Sequence, residues 1–572
     1  MIMYPEEKNQ IVIEKAKELE KYPLCFSWVD RYAKERPNDL AIIEYNTSQE
    51  ITWKAFATAS KAFAAKLLNL GIKKGDVVAT SLPLLKEHVY LMYACYRIGA
   101  IFAPIDLRLK PPEIIQSFDK IKPKIFFFLG KTPVADFREI VKPVMEKHKK
   151  MVKYWVQFQK EADMIMDGAI GITEFAADIK KVYLIKGILG GAVKKAQKKV
   201  HKRDPCLIIF TTGSTGWPKP ALICHENILL QNISLGTAFD MKEGDRMLVN
   251  LPASHVGCTT EQLMTTIYGG GTAVILHIFK PDESLDAIQK YKVTCFGQIP
   301  ALFSMEWRLP NYNEYNLSSL RFAIAAGQQV TRAFLEKLST MCPQYPTGLG
   351  LTETAGFCTY TPMNYGVDDL LKGIGFDSPL CPISIREIMK PNGSAGDEKP
   401  KGEIGEICFQ GPQVFLGYMD DEENTRKTIS KEGILYTGDL GSYDEEGLHF
   451  AGRSKLLIKP KGYNVYPQEV EDYIGTSLKD KLSAVAVVGV PHEVFTEGIM
   501  AFVEPRAGQK VTKEEIDKIC QGMASYKRPS HVEILPPEGM PLNRVAKTDY
   551  VTLKSKAKEI AEKLRSKGGW DK

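Results

Sequence analysis

The nine residues from Thr211 to Lys219, TTGSTGWPK, combine four hydroxyl side chains, two glycines and one lysine. Hydroxyl and backbone N–H groups can surround an anion, and glycine lets the chain curl closely around its oxygens. The stretch is therefore predicted to hold phosphate groups. The P-loop pattern does not fit, because Pro218 and Pro220 stand where it needs a glycine and a hydroxyl residue. A solvent-exposed turn is the alternative.

The elements around this loop predict its position in the fold. The apolar runs CLIIF (206–210) and ALIC (221–224) border it, so we expect it to join two strands. Between residues 56 and 130, helix-like and strand-like runs alternate, which is typical of βαβ units with a mainly parallel sheet. Beyond about residue 400, short runs separated by Gly and Asp predict hairpins and small sheets.

These patterns predict an α/β fold with two domains. Residues 1–453 would form a large N-terminal domain of stacked βαβ subdomains with a small barrel-like sheet. Residues 454–572 would form a small α+β C-terminal domain, of a size usual for a separate domain. The boundary is expected in the sequence GRSK, residues 452–455.

The composition limits the possible classes of protein. The chain has 572 residues, of which 44% are hydrophobic and 25% charged, as in soluble globular proteins. No apolar run reaches the roughly 18 to 20 residues of a membrane span, and the first residues, MIMYPEEKNQ, do not read as a signal peptide. The eleven cysteines form no CxxC pair, which indicates reduced thiols and a cytoplasmic location. A net charge of +6 is too weak to indicate nucleic-acid binding.

One segment is strongly basic. Lys180 to Arg203 mixes lysines with aliphatic residues, so it could contact an anionic membrane surface or an acidic ligand. The alternative is a solvated basic face beside a packed apolar one.

Five motifs occur in a fixed order along the chain. They are TTGSTGWPK (211–219), GLGLTET (348–354), YTGDL (436–440), GRSKLLIKPKGYNVYPQEVE (452–471) and PLNRVAK (541–547). In order and spacing they resemble the adenylate-forming superfamily, which comprises acyl-CoA synthetases, firefly-luciferase-like enzymes and peptide-synthetase adenylation domains. The resemblance covers residues 26–554, is closest to the acyl-CoA synthetases, and implies ATP, Mg²⁺ and CoA as cofactors or co-substrates.

The resemblance assigns residues to the phosphates of ATP. Their hydroxyl, glycine and lysine positions would be Thr211, Thr212, Gly213, Ser214, Thr215, Gly216 and Lys219. Glu353 matches the magnesium ligand of the family, since a carboxylate that faces phosphates needs a hard cation between them. Thr352 would bond the α-phosphate.

The resemblance also assigns the nucleoside and the catalytic lysine. Asp439 would accept hydrogen bonds from both ribose hydroxyls, and Arg453 would support the ribose or the phosphate. Gly327 and Gly350 would border adenine or the acyl group. Lys547 matches the lysine of the C-terminal domain that adenylation requires, because two anions must meet in that step.

Three further positions follow from the resemblance. Lys455 would be the hinge about which a mobile C-terminal domain swings, and Gly462 would line the pantetheine tunnel of CoA. His255 would border the acyl site, where amino-acid-activating domains carry an aspartate, so an amino-acid substrate is disfavoured. Leu349 replaces a tyrosine that many relatives place before Gly350, which puts the adenine contact in doubt. At residues 325–330 the sequence AAGQQV also departs from the family pattern.

The predicted activity is that of a carboxylate–CoA ligase. It would convert a fatty, aromatic or alicyclic acid and ATP into acyl-AMP and pyrophosphate, and then transfer the acyl group to CoA. An apolar acid is preferred because no charged residue is identified in the pocket. Two alternatives stay open: an acyl-AMP ligase that delivers to a carrier protein or another acceptor, and a non-catalytic membrane-surface scaffold. No nucleic-acid partner is expected.

Overall fold

A computed structural model describes residues 6–211, 218–328, 330–453, 456–460, 463, 465–494, 496–543 and 547–570. The chain divides into two compact units. The first consists of Met1–Ile383, Phe409–Leu435 and Glu445–Gly447, and the second of Ser384–Cys408, Tyr436–Asp444 and Leu448–Lys572. The predicted domain boundary at residues 453 and 454 stays a prediction.

The α-helices, in chain order, are α1 (Glu6–Lys17), α2 (Cys25–Glu35), α3 (Trp53–Asn69), α4 (Lys86–Ile98), α5 (Pro111–Ile121), α6 (Phe137–His148), α7 (Ile172–Ala177), α8 (Ile179–Val182), α9 (Ala192–Gln197), α10 (His225–Ala238), α11 (Thr265–Tyr268), α12 (Pro281–Tyr291), α13 (Pro300–Trp307), α14 (Arg332–Ser339), α15 (Val367–Leu370), α16 (Glu422–Thr428), α17 (Pro467–Ser477), α18 (Lys513–Cys520) and α19 (Tyr550–Ser566). Tyr183–Leu189 and Gly257–Met264 are π-helices. In the described part of the chain, no helix has the length and apolar character that crossing a membrane requires.

The β-strands, in chain order, are β1 (Leu40–Glu44), β2 (Gln49–Thr52), β3 (Val77–Ser81), β4 (Ile101–Pro104), β5 (Ile125–Leu129), β6 (Tyr154–Phe158), β7 (Ile170–Gly171), β8 (Pro205–Thr211), β9 (Lys219–Cys224), β10 (Arg246–Val249), β11 (Thr272–Ile275), β12 (Cys295–Gln298), β13 (Phe322–Ala325), β14 (Gly350–Leu351), β15 (Gly356–Phe357), β16 (Thr359–Tyr360), β17 (Phe376–Asp377), β18 (Ile383–Arg386), β19 (Gly405–Phe409), β20 (Gly417–Tyr418), β21 (Leu435–Asp444), β22 (Gly447–Arg453), β23 (Leu482–His492), β24 (Thr496–Pro505) and β25 (His531–Ile534).

The first unit contains two large sheets. One has eight strands in the order β20-β9-β8-β4-β3-β5-β6-β7, and the other has six in the order β13-β12-β10-β11-β1-β2. Strands β3 to β7 pair in parallel, and so do β10 to β13. Strand β5, IFFFL, is almost wholly buried, as expected for a parallel strand that is covered on both faces. The predicted α/β fold is confirmed.

The second unit contains a four-stranded sheet, β18-β19-β21-β22, and a three-stranded sheet, β23-β24-β25. Alternate residues of β23 face opposite sides. Val487 packs with Ile474 of α17, whereas Val488 packs with Leu553 of α19. The strand therefore buries both faces, and its side-chain period of two residues separates two cores in this small α+β unit.

Candidate active site

Strands β8 and β9 form the antiparallel hairpin that carries the phosphate-loop motif. Thr211 pairs with Lys219 and Phe210 with Pro220, so the first and last residues of the motif lie opposite each other. The prediction that the loop joins two strands is confirmed. Thr212, Gly213, Ser214, Thr215 and Gly216 lie outside the described residues, so their contacts with phosphate stay predictions.

Glu353 lies in a 3₁₀ turn, Thr352–Thr354, between β14 and β15. Its Oε1 atom accepts a hydrogen bond of 2.6 Å from the hydroxyl of Tyr418. Tyr418 belongs to β20, which pairs with β9, and the Nζ atom of Lys219 lies 5.1 Å from the centre of its ring. Tyr418 therefore brings the predicted metal ligand and the loop lysine to one place, although its own sequence position carries no motif.

The Tyr418 hydroxyl is a permanent hydrogen-bond donor. Its pKa is raised, first by burial and then by the charge of Glu353 and the hydrogen bond between them. The phenol therefore stays protonated at neutral pH and donates a hydrogen bond to Glu353. The geometry holds one oxygen of the Glu353 carboxylate in a fixed direction.

The residues present fit a magnesium ion. Glu353 is half-buried, and its Oε2 atom accepts no hydrogen bond from any residue that the structure describes. Within the same described residues no group of three or more His, Cys, Asp or Glu side chains could hold a metal. Mg²⁺ is bound in many phosphate-transfer sites by one or two carboxylates, with water and phosphate oxygens as its other ligands. A single oriented carboxylate therefore suits Mg²⁺ together with ATP.

Two residues from a distant segment hold the backbone of this turn. The backbone N–H of Phe415 donates to the carbonyl oxygen of Glu353 at 2.9 Å. The side-chain amide of Gln413, which is fully buried, donates to the carbonyl oxygens of Thr354 and Phe357 at 3.0 and 2.8 Å. Thr352, predicted to bond the α-phosphate, is half-buried in the same turn. The segment that contains β20 thus positions both the carboxylate and its turn.

A second carboxylate lies against the β14–β15 hairpin. A Cβ atom added to Gly350 would lie 3.0 Å from the Oε1 atom of Glu261, and one added to Gly356 would lie 2.9 Å from it. Glycine at both positions lets Glu261, which belongs to the π-helix Gly257–Met264, approach the hairpin backbone. Sequence reasoning missed this residue.

His255 and Gly327 border other parts of the first unit. His255 is half-buried and lies two residues before the π-helix Gly257–Met264. Burial opposes ionisation of nearby Asp106, but hydrogen bonds from Arg108 and, to a smaller extent, the charge of His255 lower its pKa. Gly327 is exposed after β13, with φ at +88°. Their predicted contacts with the acyl group and adenine stay predictions.

In the second unit, Asp439 and Arg453 are neighbours. Asp439 is buried, and its Oδ1 atom lies 3.2 Å from the Nε atom of the half-exposed Arg453. Thr437 Oγ accepts the backbone N–H of Asp439 at 3.1 Å, and Glu406 accepts that of Gly438 at 2.9 Å. Burial raises the pKa of Glu406, and the charge of Asp439 adds to this increase. Asp439 is thus a fixed hydrogen-bond acceptor, as its predicted ribose role requires.

The backbone of Lys547 is hydrogen-bonded to Asn543. Its backbone N–H donates to Asn543 Oδ1 at 3.1 Å, and its carbonyl oxygen accepts from the N–H of Asn543 at 2.7 Å. Two residues after Lys547, the side chain of Asp549 caps the N-terminus of α19. Lys455 and Gly462, predicted for the hinge and the CoA tunnel, lie outside the described residues.

Comparison with known proteins gives a family match over most of the chain. A family model described as AMP-binding enzyme matches residues 29–419, and one described as AMP-binding enzyme C-terminal domain matches residues 469–547. The indoleacetate–CoA ligase of Aromatoleum aromaticum is 28% identical over 517 residues, which cover 89% of this chain and 93% of that protein. The 4-coumarate–CoA ligase CCL1 of Humulus lupulus is 26% identical over 547 residues, or 92% and 93% of the two chains.

Solved structures share the fold. ATP-bound MatB from Rhodopseudomonas palustris superposes with a TM-score of 0.76 at 23% identity, covering 93% of this chain and 99% of that one. The amide bond synthetase McbA from Marinactinospora thermotolerans superposes with a TM-score of 0.77 at 21% identity, covering 93% of this chain and 100% of that one.

Proposed function

The chain belongs to the AMP-binding enzyme family, within the adenylate-forming superfamily, and from this premise we propose that it is a carboxylate–CoA ligase. The observation that carries the proposal is the cluster in which Tyr418 holds the carboxylate of Glu353 beside Lys219 at the end of the β8–β9 hairpin. A cation and an oriented carboxylate at the mouth of a hydroxyl-rich loop suit a metal-bound polyphosphate. The names of relatives that match nearly end to end support CoA as the acceptor.

The proposed reaction has two steps. A carboxylate oxygen of the acid attacks the α-phosphorus of ATP, the bond to the bridging oxygen of the β-phosphate breaks, and pyrophosphate leaves. The CoA thiolate then attacks the acyl carbon, the bond between that carbon and the AMP oxygen breaks, and AMP leaves. No covalent bond to the enzyme is required, so positioning and charge neutralisation supply the catalysis.

Most residues assigned by the motifs have a proposed task in the first step. The hydroxyls of Thr211, Thr212, Ser214 and Thr215, with Lys219, hold the phosphates, and Gly213 and Gly216 let the backbone approach them. Thr352 bonds the α-phosphate. Asp439 accepts hydrogen bonds from the ribose hydroxyls, and Arg453 supports the ribose or the phosphate. Lys547 offsets the charge of the two anions that must meet.

Glu353 would hold Mg²⁺, with its second oxygen oriented by the hydrogen bond from Tyr418 to the first. When bound, the ion neutralises phosphate charge.

The second step would follow a movement of the C-terminal domain. Lys455 is proposed as the hinge, and Gly462 as part of the passage for pantetheine. Rotation about a boundary residue would remove Lys547 from the substrate after adenylation and admit the thiol. These roles rest on the motif match GRSKLLIKPKGYNVYP, residues 452–467.

The proposed acid has an apolar body, whether fatty, aromatic or alicyclic. His255 would border it, and His255 cannot supply the negative charge that a substrate ammonium needs. The relatives named for indoleacetate and 4-coumarate favour the aromatic class within this range.

The alternative is transfer of the acyl group from AMP to an acceptor other than CoA. The amide bond synthetase McbA shows that this fold also carries such an activity. The deciding experiment measures AMP release from ATP with a panel of carboxylic acids, each with and without CoA. CoA-dependent turnover on one group of acids would support the ligase. Acid-dependent exchange of pyrophosphate with no effect of CoA would favour another acceptor.

A substitution separates the two half-reactions. Lys547→Ala should abolish adenylation but leave thioester formation from supplied acyl-AMP, because the lysine is proposed to act only in the first step. Lys556→Ala, an exposed lysine of α19, is the matched control and should keep both. Equal loss of both half-reactions in Lys547→Ala would contradict the assigned role.

A further inference from the structure

The first unit carries an unusual surface on residues 179–203, which we call the basic patch. It runs from α8 through the π-helix Tyr183–Leu189 to the residues after α9. Val182 and Val193 are buried and attach the inner side of the patch to the first unit. Gly187 lies close to α3, where a Cβ on it would be 3.3 Å from the Cβ of Ala65. The patch is therefore fixed on the body of the first unit.

The outer side of the basic patch is aliphatic. Leu184, Ile185, Ile188 and Leu189 are 54%, 49%, 56% and 76% exposed. These four large aliphatic side chains lie within six consecutive residues and form a contiguous apolar area. Such an area differs from single exposed apolar residues, which are common on protein surfaces. Their exposure in the folded unit indicates a surface that binds something.

Positive charge surrounds this apolar area. Residues 179–203 contain eight lysines and one arginine and no aspartate or glutamate. Because the whole chain has a net charge of only +6, the remainder of the chain is slightly acidic and the basic charge is concentrated here. Lysines 180, 181, 186, 194, 195, 198 and 199 are exposed, and none forms an ion pair with an acidic side chain in the described part of the chain.

We propose that the basic patch docks on the surface of an anionic lipid bilayer. Ile188 and Leu189, on the outer π-helical turn, would enter the boundary between headgroups and acyl chains, and the lysines would contact lipid phosphates. A nucleic acid would neutralise the lysines but leave the aliphatic side chains in water, whereas an anionic lipid surface complements both features. The proposal is independent of the reaction that the enzyme catalyses.

Flotation with vesicles tests the proposal on the full chain. Binding is expected to phosphatidylcholine vesicles that contain about 30% phosphatidylglycerol, and not to pure phosphatidylcholine, because each basic residue near an anionic surface adds attraction. Ile188→Asn with Leu189→Asn, and separately Lys194, Lys195, Lys198 and Lys199→Gln, should each reduce the partition coefficient at least about tenfold. Binding should weaken as salt rises, because the Debye length falls from about 10 Å at 0.1 M to about 3 Å at 1 M.

Matched variants elsewhere in the first unit provide controls. Val134→Asn removes an apolar side chain that is 87% exposed, and Lys142, Lys149 and Lys150→Gln remove exposed lysines outside the patch. These variants should bind as the unmodified protein does. All variants should keep acid-dependent AMP release, which also shows that they are folded.

A labelled thiol tests insertion directly. All eleven native cysteines are buried, so Leu189→Cys can be labelled selectively with an environment-sensitive dye. Its emission should shift to the blue on anionic vesicles, and that of Val134→Cys should not. Binding that survives both patch variants, binding to nucleic acid but not to vesicles, or an unshifted label at position 189 would each overturn the proposal.

Discussion

Replacement of Tyr418 by phenylalanine tests the central contact of the candidate site. Tyr418→Phe removes the hydroxyl that donates to Glu353 Oε1 at 2.6 Å, and it keeps the ring over which the Nζ atom of Lys219 lies at 5.1 Å. The change therefore isolates one hydrogen bond. If that bond orients the metal ligand, its loss should change how the rate depends on the concentrations of Mg²⁺ and ATP. The dependence of the rate on the concentration of the acid should stay the same.

The size of the effect follows from the burial of the two partners. A hydrogen bond to a charged group contributes about 1.5–3 kcal/mol. Glu353 is half-buried, so water can replace part of the lost interaction, and about 1–2 kcal/mol remains. At 1.36 kcal/mol for a factor of ten, kcat/KM for ATP should fall about 5- to 30-fold.

The assay is pyrophosphate release at varied ATP and Mg²⁺ with a saturating acid. The concentration of Mg²⁺ at half-maximal rate should rise, and KM for the acid should change less than about twofold. This division separates a positioning role from general loss of structure, which would lower the rate at every substrate concentration alike.

A second tyrosine–carboxylate pair gives the matched control. The hydroxyl of Tyr45 donates to Asp286 Oδ2 at 2.8 Å, also in the first unit and also partly buried. Tyr45→Phe should lower the free energy of unfolding by a similar amount and leave the kinetics unchanged. Equal Mg²⁺ dependence in Tyr418→Phe and the unmodified enzyme would refute the reasoning, as would equal kinetic losses in the two variants.

Three further predictions concern the second unit, a buried carboxyl group and the β14–β15 hairpin. Asp439→Asn replaces one acceptor oxygen by a donor and weakens the contact with Arg453, so KM for ATP should rise about tenfold in steady-state assays. Burial raises the pKa of Glu306 to about 8, so the folded protein holds a proton that the unfolded chain releases near its ordinary value of 4.5. The free energy of unfolding, measured in urea, should therefore fall as pH rises from 5 to 8, and Glu306→Gln should reduce that slope. Gly356→Ala places a Cβ 2.8 Å from the Cγ of the nearby glutamate at φ +130°, and should lower the free energy of unfolding by about 1–3 kcal/mol. Gly366→Ala, with no atom within 4 Å of its added Cβ, should change it by less than about 0.5 kcal/mol.

The sequence alone predicts the parts of the site that depend on local patterns. The strands on both sides of the phosphate loop are uninterrupted apolar runs, and the structure places Thr211 opposite Lys219 as that pattern requires. The family resemblance predicts roles for Glu353 and Asp439, and the structure places them in a 3₁₀ turn and in strand β21; their ligand contacts stay predictions. Local chemistry and local geometry coincide at these positions.

Tyr418 and Gln413 could not be predicted in the same way. Tyr418 contacts a residue 65 positions earlier in the chain, through a strand of only two residues that pairs with β9. A two-residue strand has no periodic pattern, because alternation becomes visible only over several residues. Gln413 reads as an ordinary loop residue, and only its complete burial reveals its role in holding the turn.

Glu261 shows why the acyl side of the site was the hardest part to predict. It lies six residues after His255 in a π-helix, whose i to i+5 hydrogen bonds turn side chains away from the directions that an α-helical pattern predicts. Its carboxylate therefore lies against Gly350 and Gly356 of the β14–β15 hairpin. The Glu261 carboxylate at this hairpin is a charged group that the sequence-based preference for an apolar acid does not include. The acid panel should therefore include aromatic acids that carry a hydroxyl or N–H group as well as their unsubstituted counterparts, because only such a group can donate to Glu261.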